Sequence, residues 1–133
     1  MKDVKRILLA KMGLDSHDTG IVTVAEVLRD AGWEVIYLGL HNQADKVVRV
    51  ASDEDVDVIG VSFLSGQHMT QARRLIDAMR DQGLSIPVVC GGVIPDEDAV
   101  ELRKMGVREV ITPGTLSADV VRRVGNVLGA PIA

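Results

Sequence analysis

Asp15 and His17, two residues apart in a short polar stretch, are the pair in this sequence whose types and spacing point most directly to chemistry. Residues 8–22 read LLAKMGLDSHDTGIV, so the imidazole stands between the carboxylates of Asp15 and Asp18, with Gly20 closing the stretch. A carboxylate that accepts a hydrogen bond from one imidazole nitrogen fixes the tautomer and raises the basicity of the other nitrogen. That arrangement suits a metal ligand or a general base. The plainer reading is a turn in which Asp18 caps a helix. Ser62, the pair Gly91-Gly92 and the pair Gly114-Thr115 close three further apolar runs and are the other small or hydroxyl-bearing candidates.

These residues need elements to position them. Apolar runs rich in Val and Ile predict strands over Arg6–Lys11, Glu34–Gly39, Asp57–Phe63, Ile86–Gly91 and Glu109–Thr112. Helical spacing separates them: Ile21, Val24, Ala25 and Leu28; then Ala44, Val47, Val48 and Ala51; then Ala72, Leu75, Ile76 and Met79. Asp96 reads as the cap of a fourth helix, and Ser117 as the cap of a fifth bearing Val121, Val124 and Leu128. Gly32 and Gly83 close the first and third helices. The order is (βα)5, one domain over residues 1–133, with no linker or repeat. Right-handed crossovers make this an α/β doubly wound parallel sheet, flavodoxin-like, in strand order 2-1-3-4-5. Ligands of such sheets bind beyond the carboxyl ends of the strands where the order reverses, here between the first and third strands. The exits GLDSHDTG and SFLSGQH are therefore expected neighbours, with CGGVIP and TPGT on the same edge.

Composition narrows the ligand. A net charge of -4 and a pI near 5.3 speak against nucleic acid as a partner. The aromatic residues are Trp33, Tyr37 and Phe63, too few for base- or flavin-stacking platforms. One cysteine, Cys90, excludes an internal disulfide and a CxxC site, and reads as a core residue. No apolar stretch is long enough to span a bilayer, and MKDVKRILLAK reads as a strand rather than a leader, so a cytoplasmic location is the expectation.

The common uses of this fold fail on specific residues. A phosphoacceptor site needs an Asp where the third strand ends in Val61-Ser62-Phe63. A dinucleotide site needs GxGxxG after the first strand, and Met12-Gly13-Leu14-Asp15 does not supply it. A nucleophile elbow, GxSxG, lacks its second glycine in Gly60-Val61-Ser62-Phe63-Leu64. His17 alone cannot hold a free metal ion. His41 and His68 stand at other strand exits, form no HxH or HxxxH pair, and read as surface or interface residues. One imidazole suffices when the metal already has its equatorial ligands, as in a tetrapyrrole. A haem pocket favours bulky aromatics that this chain lacks, so a corrin fits better.

The residues resemble a known family at this point. Asp15-Ser16-His17-Asp18-Thr19-Gly20 fits DxHxxG, Ser62-Phe63-Leu64 fits SxL, and Gly91-Gly92 fits the GG that follows. Order and spacing are similar to the cobalamin-binding domain of B12 enzymes that hold the cofactor with its own base off and a histidine on cobalt. The likeness covers nearly the whole chain. It is strongest to the separate small subunits of adenosylcobalamin-dependent acyl-CoA mutases, of the methylmalonyl-CoA and 2-hydroxyisobutyryl-CoA mutase kind. The resemblance implies His17 as the lower cobalt ligand, Asp15 as its hydrogen-bond partner, and Lys11 as the basic residue extending that pair. Asp18 and Gly20 belong to the same cofactor-binding motif. It further implies a slot for the displaced nucleotide tail, lined by Gly13, Ser62, Gly91 and Gly92, with Leu64 packed on the tail and Gly114 and Thr115 at its outer end. Without the resemblance, Lys11 reads as a solvated lysine. Ser16 stands where these mutases commonly have Gly, and Thr19 where they commonly have Arg.

The implied activity is a radical 1,2 carbon-skeleton rearrangement of an acyl-CoA, with the substrate held by a TIM-barrel large subunit, in a heterotetramer. This chain would be the cofactor-binding subunit and inactive alone. An alternative in the same fold is a corrinoid carrier for methyl transfer. Such carriers usually place a helical cap before the first strand, which here begins within the first six residues. A B12-dependent sensor would need an output domain.

Overall fold

The structure, a computed structural model, describes residues 4–13, 19–63 and 66–129. Five strands alternate with five helices: β1 Arg6–Lys11, α1 Thr19–Asp30, β2 Glu34–Tyr37, α2 Ala44–Asp53, β3 Val58–Ser62, α3 His68–Asp81, β4 Val88–Gly91, α4 Asp96–Met105, β5 Glu109–Ile111 and α5 Ser117–Gly129. The sheet is parallel throughout, in the order β2-β1-β3-β4-β5 that the sequence predicts.

Period-two alternation divides each strand between two cores. Leu8, Ala10, Ile59, Val61, Val88, Cys90 and Val110 pack against α2, α3 and α4, whose Val47, Val48, Ala51, Ala72, Leu75, Ile76, Met79 and Leu102 are buried there. Ile7, Leu9, Val58 and Val89 face α1 and α5 through Ile21, Ala25, Leu28, Val120, Val124 and Val127. The stripe on α5 thus runs through Val120, Val124 and Val127, and the expected Val121 and Leu128 flank it as half-buried residues. Among the described residues no helix is long and apolar enough to cross a membrane.

β1 has the predicted bounds, and β2 to β5 are shorter than the predicted runs, for local reasons. Gly39 turns the chain after β2 at φ +83. Pro87, before β4, has no N–H to donate to a ladder, although its carbonyl still accepts from Ile59 at 2.9 Å. The helix ends follow one pattern. Leu84 N–H reaches the Met79 carbonyl at 2.9 Å and Gly83 N–H the Arg80 carbonyl at 3.1 Å, a Schellman close around left-handed Gly83. Gly32 closes α1 in the same way, and Asp55, at φ +51, closes α2. The two predicted helix starts shift by one residue. Ala99 N–H bonds the Pro95 carbonyl and Val120 N–H the Leu116 carbonyl, so Pro95 and Leu116 take the cap positions. Asp96 and Ser117 are each the first helical residue rather than caps. Asp96, Glu97 and Asp98 then place three carboxylates in the first turn of α4, where the helix dipole favours negative charge.

Candidate functional site

The parallel register lines up one residue from each of four strands at the carboxyl edge: Lys11 beside Ser62, Ser62 beside Gly91, Gly91 beside Ile111. The side chains in this row, and Gly60 one pleat behind, belong to the face turned toward α1 and α5. Along β3 that face reads Val58, Gly60, Ser62, and along β4 it reads Val89, Gly91. Bulk therefore falls away toward the carboxyl ends while the helices continue above. What remains is a cavity of about 190 Å³ between the sheet and the helices, bounded by Lys11, Gly60, Ser62, Gly91, Gly92, Ile21, Val24, Thr112 and Pro113 among others. It lies beside the β1–β3 reversal of strand order, where doubly wound folds bind ligands.

Of the residues proposed from sequence, the structure brings Lys11, Gly20, Ser62, Gly91 and Gly92 together around this cavity. Gly13 lies elsewhere: at φ +81, it faces α3, and a Cβ there would stand 2.6 Å from Gln67 Oε1. Gly114 and Thr115 form the turn after β5, outside the lining. Thr115 Oγ1 donates to the Thr112 carbonyl at 2.8 Å, and Gly114 holds φ +89 with open space around it. Asp15, His17, Asp18 and Leu64 fall outside the described residues. Among the described residues no group of three or more His, Cys, Asp and Glu side chains is placed to hold a metal ion.

Two side chains depart from their sequence readings. Lys11 is 5% exposed at the end of β1 rather than solvated. Both its backbone groups are held by the segment that follows β2, Lys11 N–H by the Gly39 carbonyl at 3.0 Å and the Lys11 carbonyl by Asn42 N–H at 2.9 Å. Asn42, also buried, adds its own Nδ2 to that carbonyl at 3.0 Å and to the Gly39 carbonyl at 2.8 Å. His68 is likewise 5% exposed, not a surface residue, because the start of α3 packs against α4 and its Nε2 lies 2.7 Å from Asp98 Oδ2. His41 is exposed, as read, at φ +59. Cys90 is fully buried in the opposite core, and burial pushes its thiol up to about 12.

Gly60 is the lining residue that motif reading passed over. A Cβ there would stand 2.6 Å from Leu9 Cδ2. A glycine inside a Val/Ile run marks close approach of another group to the strand, and that signal was present in Val58-Ile59-Gly60-Val61.

The cavity accepts a flat apolar group. A dry protein cavity of about 150 Å³ is known to hold benzene, and this one is larger, lies at the carboxyl edge, and is lined by apolar side chains with glycines along β3 and β4. A Cβ at Gly91 would meet only the Ile111 carbonyl at 3.6 Å and the Val61 carbonyl at 4.0 Å, so the space in front of that glycine is clear. The Ser62 hydroxyl and the Lys11 ammonium are the polar groups of the same row. An apolar trough with a few polar groups at its mouth fits a planar base such as the one on a cobalamin tail.

Residues 5–122 match the B12 binding domain family. The chain belongs to the B12-binding domain family. It is 46% identical over 126 residues to the 2-hydroxyisobutanoyl-CoA mutase small subunit of Aquincola tertiaricarbonis, covering 94% of this chain and 93% of that protein. It is 42% identical over 120 residues to the pivalyl-CoA mutase small subunit of Xanthobacter autotrophicus, covering 90% and 80%. Against the ethylmalonyl-CoA mutase of Cereibacter sphaeroides the identity is 41% over 108 residues, but the chain spans only 17% of that protein's length. Among solved structures, a cobalamin-binding protein from Desulfitobacterium hafniense superimposes with a TM-score of 0.79 at 24% identity, covering 93% of this chain and 59% of that one. The signal receiver domain of NarL from Mycobacterium tuberculosis gives 0.74 at 14% identity, covering 98% and 100%. At such identities these structures bear on the fold alone, which B12-binding domains share with receiver domains.

Proposed function

We propose that this B12-binding domain is the cofactor-carrying small subunit of an adenosylcobalamin-dependent acyl-CoA mutase. The observation that carries the reading is the glycine-walled slot at the switch point, in a chain aligned nearly end to end with two acyl-CoA mutase small subunits. In this reading Gly60 and Gly91 would leave room in the slot for the base of the nucleotide tail, and the Ser62 hydroxyl would be available to a ring nitrogen. Gly92 turns the chain at the slot's rim, and Gly20 lies in the first turn of the helix above it. His17 would be the protein's ligand to cobalt, Asp15 would accept a hydrogen bond from its other ring nitrogen, and the buried Lys11 ammonium would support that carboxylate. Leu64 packs on the tail.

When bound, the cofactor supplies a cobalt–carbon bond that breaks homolytically to start a 1,2 rearrangement of an acyl-CoA skeleton. This chain's part is to hold and orient it. The acyl-CoA site belongs to a TIM-barrel large subunit, in a heterotetramer, and the chain alone binds cofactor without turnover. A cytoplasmic location goes with this role. The corrinoid-carrier alternative has only fold-level likeness behind it, as in the monomethylamine corrinoid protein of Methanosarcina barkeri at 20% identity.

The test is an absorption spectrum with adenosylcobalamin for the wild type and His17→Ala. The wild type is expected to bind with the cofactor's own base displaced and a nitrogen ligand on cobalt, and the variant to lose that ligand signature. A bound corrin that keeps its benzimidazole on cobalt, or an unchanged spectrum in the variant, refutes the assignment.

A further inference from the structure

His68 and Asp98 are thirty residues apart in sequence, joined at 2.7 Å, and take no part in the slot's lining. His68 opens α3, the helix that follows β3, and Asp98 sits in the first turn of α4, the helix that follows β4. Ser62 ends β3, Gly91 ends β4 and Gly92 follows it, so the residues leaving these two strands form the slot's wall on its far side. They touch immediately beyond the slot. Phe63 N–H reaches the Gly91 carbonyl at 3.3 Å, and a Cβ on Gly92 would stand 3.1 Å from the Phe63 carbonyl oxygen.

The choice of histidine here asks for a reason. The ring is buried, and among the described residues its Nδ1 has no hydrogen-bond partner. An apolar side chain of similar size would fill the space without leaving a buried polar atom unpaired. What the imidazole adds is the Nε2–H donated to the Asp98 carboxylate, which the α4 N-terminus favours as a charge. That bond fixes the start of α3 against the start of α4.

We infer that the His68–Asp98 pair is a positioning device for the tail slot, holding the β3 and β4 exits at the spacing that the nucleotide base requires. Neither residue touches the cofactor. The inference rests on the proposed cobalamin role and deepens it. It separates the two parts of the ligand: the tail should feel the pair, and the corrin ring should not.

The experiment measures binding of adenosylcobalamin and of cobinamide, the corrin without its nucleotide tail, to the full chain and to His68→Leu, Asp98→Ala, His68→Gln and Asp98→Asn. His68→Leu and Asp98→Ala are expected to weaken adenosylcobalamin by about tenfold or more, the range seen when outer supporting groups of a metal centre are removed, and to leave cobinamide within about twofold. His68→Gln, which keeps a donor, and Asp98→Asn, which keeps an acceptor, should recover most of the affinity. Thermal unfolding of each variant accompanies the titrations. Asp98 is a third exposed, so Asp98→Ala remains informative even where His68→Leu does not fold. Equal affinity of all variants for adenosylcobalamin, or parallel loss of both ligands, overturns the inference while the wild type still binds. A wild type that binds no adenosylcobalamin overturns the proposed function, and this inference with it.

Discussion

Gly91→Ala separates the slot from the stability of the fold. The new methyl would lie 3.6 Å from the Ile111 carbonyl oxygen and 4.0 Å from that of Val61, both ordinary contacts, and Gly91 does not use a left-handed backbone. Nothing in the protein has to move. Replacing glycine by alanine at a compatible position reduces the freedom of the unfolded chain and stabilises by about 0.4–1 kcal/mol. The same methyl projects into the space assigned to the cofactor's base. Forcing an extra methyl into a filled site typically costs about 1–3 kcal/mol, equivalent to about 5- to 150-fold in Kd. The expected result is a variant at least as stable as the wild type to urea, weakened by one to two orders of magnitude toward adenosylcobalamin, and unchanged toward cobinamide. Titration by absorbance or heat, with a urea melt on the same samples, reads all three. Wild-type affinity for adenosylcobalamin in a folded Gly91→Ala protein would refute the placement of the tail beside β4. A loss of several kcal/mol in stability would refute the clearance argument.

Two further outcomes follow from the geometry. Gly92→Ala should behave oppositely to its neighbour, losing about 1–3 kcal/mol of stability in a urea melt, because Gly92 holds φ +138 and a Cβ would press to 3.1 Å on the Phe63 carbonyl oxygen. Cys90 should resist alkylation in the folded protein at pH 8 and react only on unfolding. Its folded thiol is raised by burial from 9.0 to about 12. Above pH 9 the unfolded thiol therefore releases its proton first, and stability falls as pH rises through that window, by at most about 1.4 kcal/mol per pH unit. Urea melts at pH 8 and pH 10.5 should show this slope, and Cys90→Ala should reduce it.

The fold was legible because its signals are local and redundant. Apolar strand runs, helical spacing and helix-closing glycines such as Gly32 and Gly83 each specify an element without reference to the others. The carboxyl-edge grouping of Ser62, Gly91 and Gly92 follows from strand order alone. What escaped the sequence depends on packing between distant segments. Gly13 looked like the other site glycines, but its direction is set by α3, and it faces Gln67. Gly60 belongs to no loop motif, and only the pairing of β3 between β1 and β4 shows that it floors the cavity. Lys11 and His68 are polar residues whose burial is decided by elements that follow them, so from their own neighbourhoods Lys11 reads as solvated and His68 as a surface or interface residue. The Asp15–His17 pair falls outside the described residues, and the role proposed for it rests on its motif and on family membership.

The row from Lys11 through Ser62 and Gly91 to Ile111 exists only while four strands keep their phase. In a pleated strand a one-residue slip exchanges faces. Shifting β3 by a single position would swing Val61 and Phe63 toward α1 and α5 and turn Gly60 and Ser62 into the opposite core. The trough would then be plugged by a valine and a phenylalanine without any substitution in it. Insertions or deletions of one residue within this strand should therefore be far scarcer among functioning descendants of the gene than point changes on the surrounding helices.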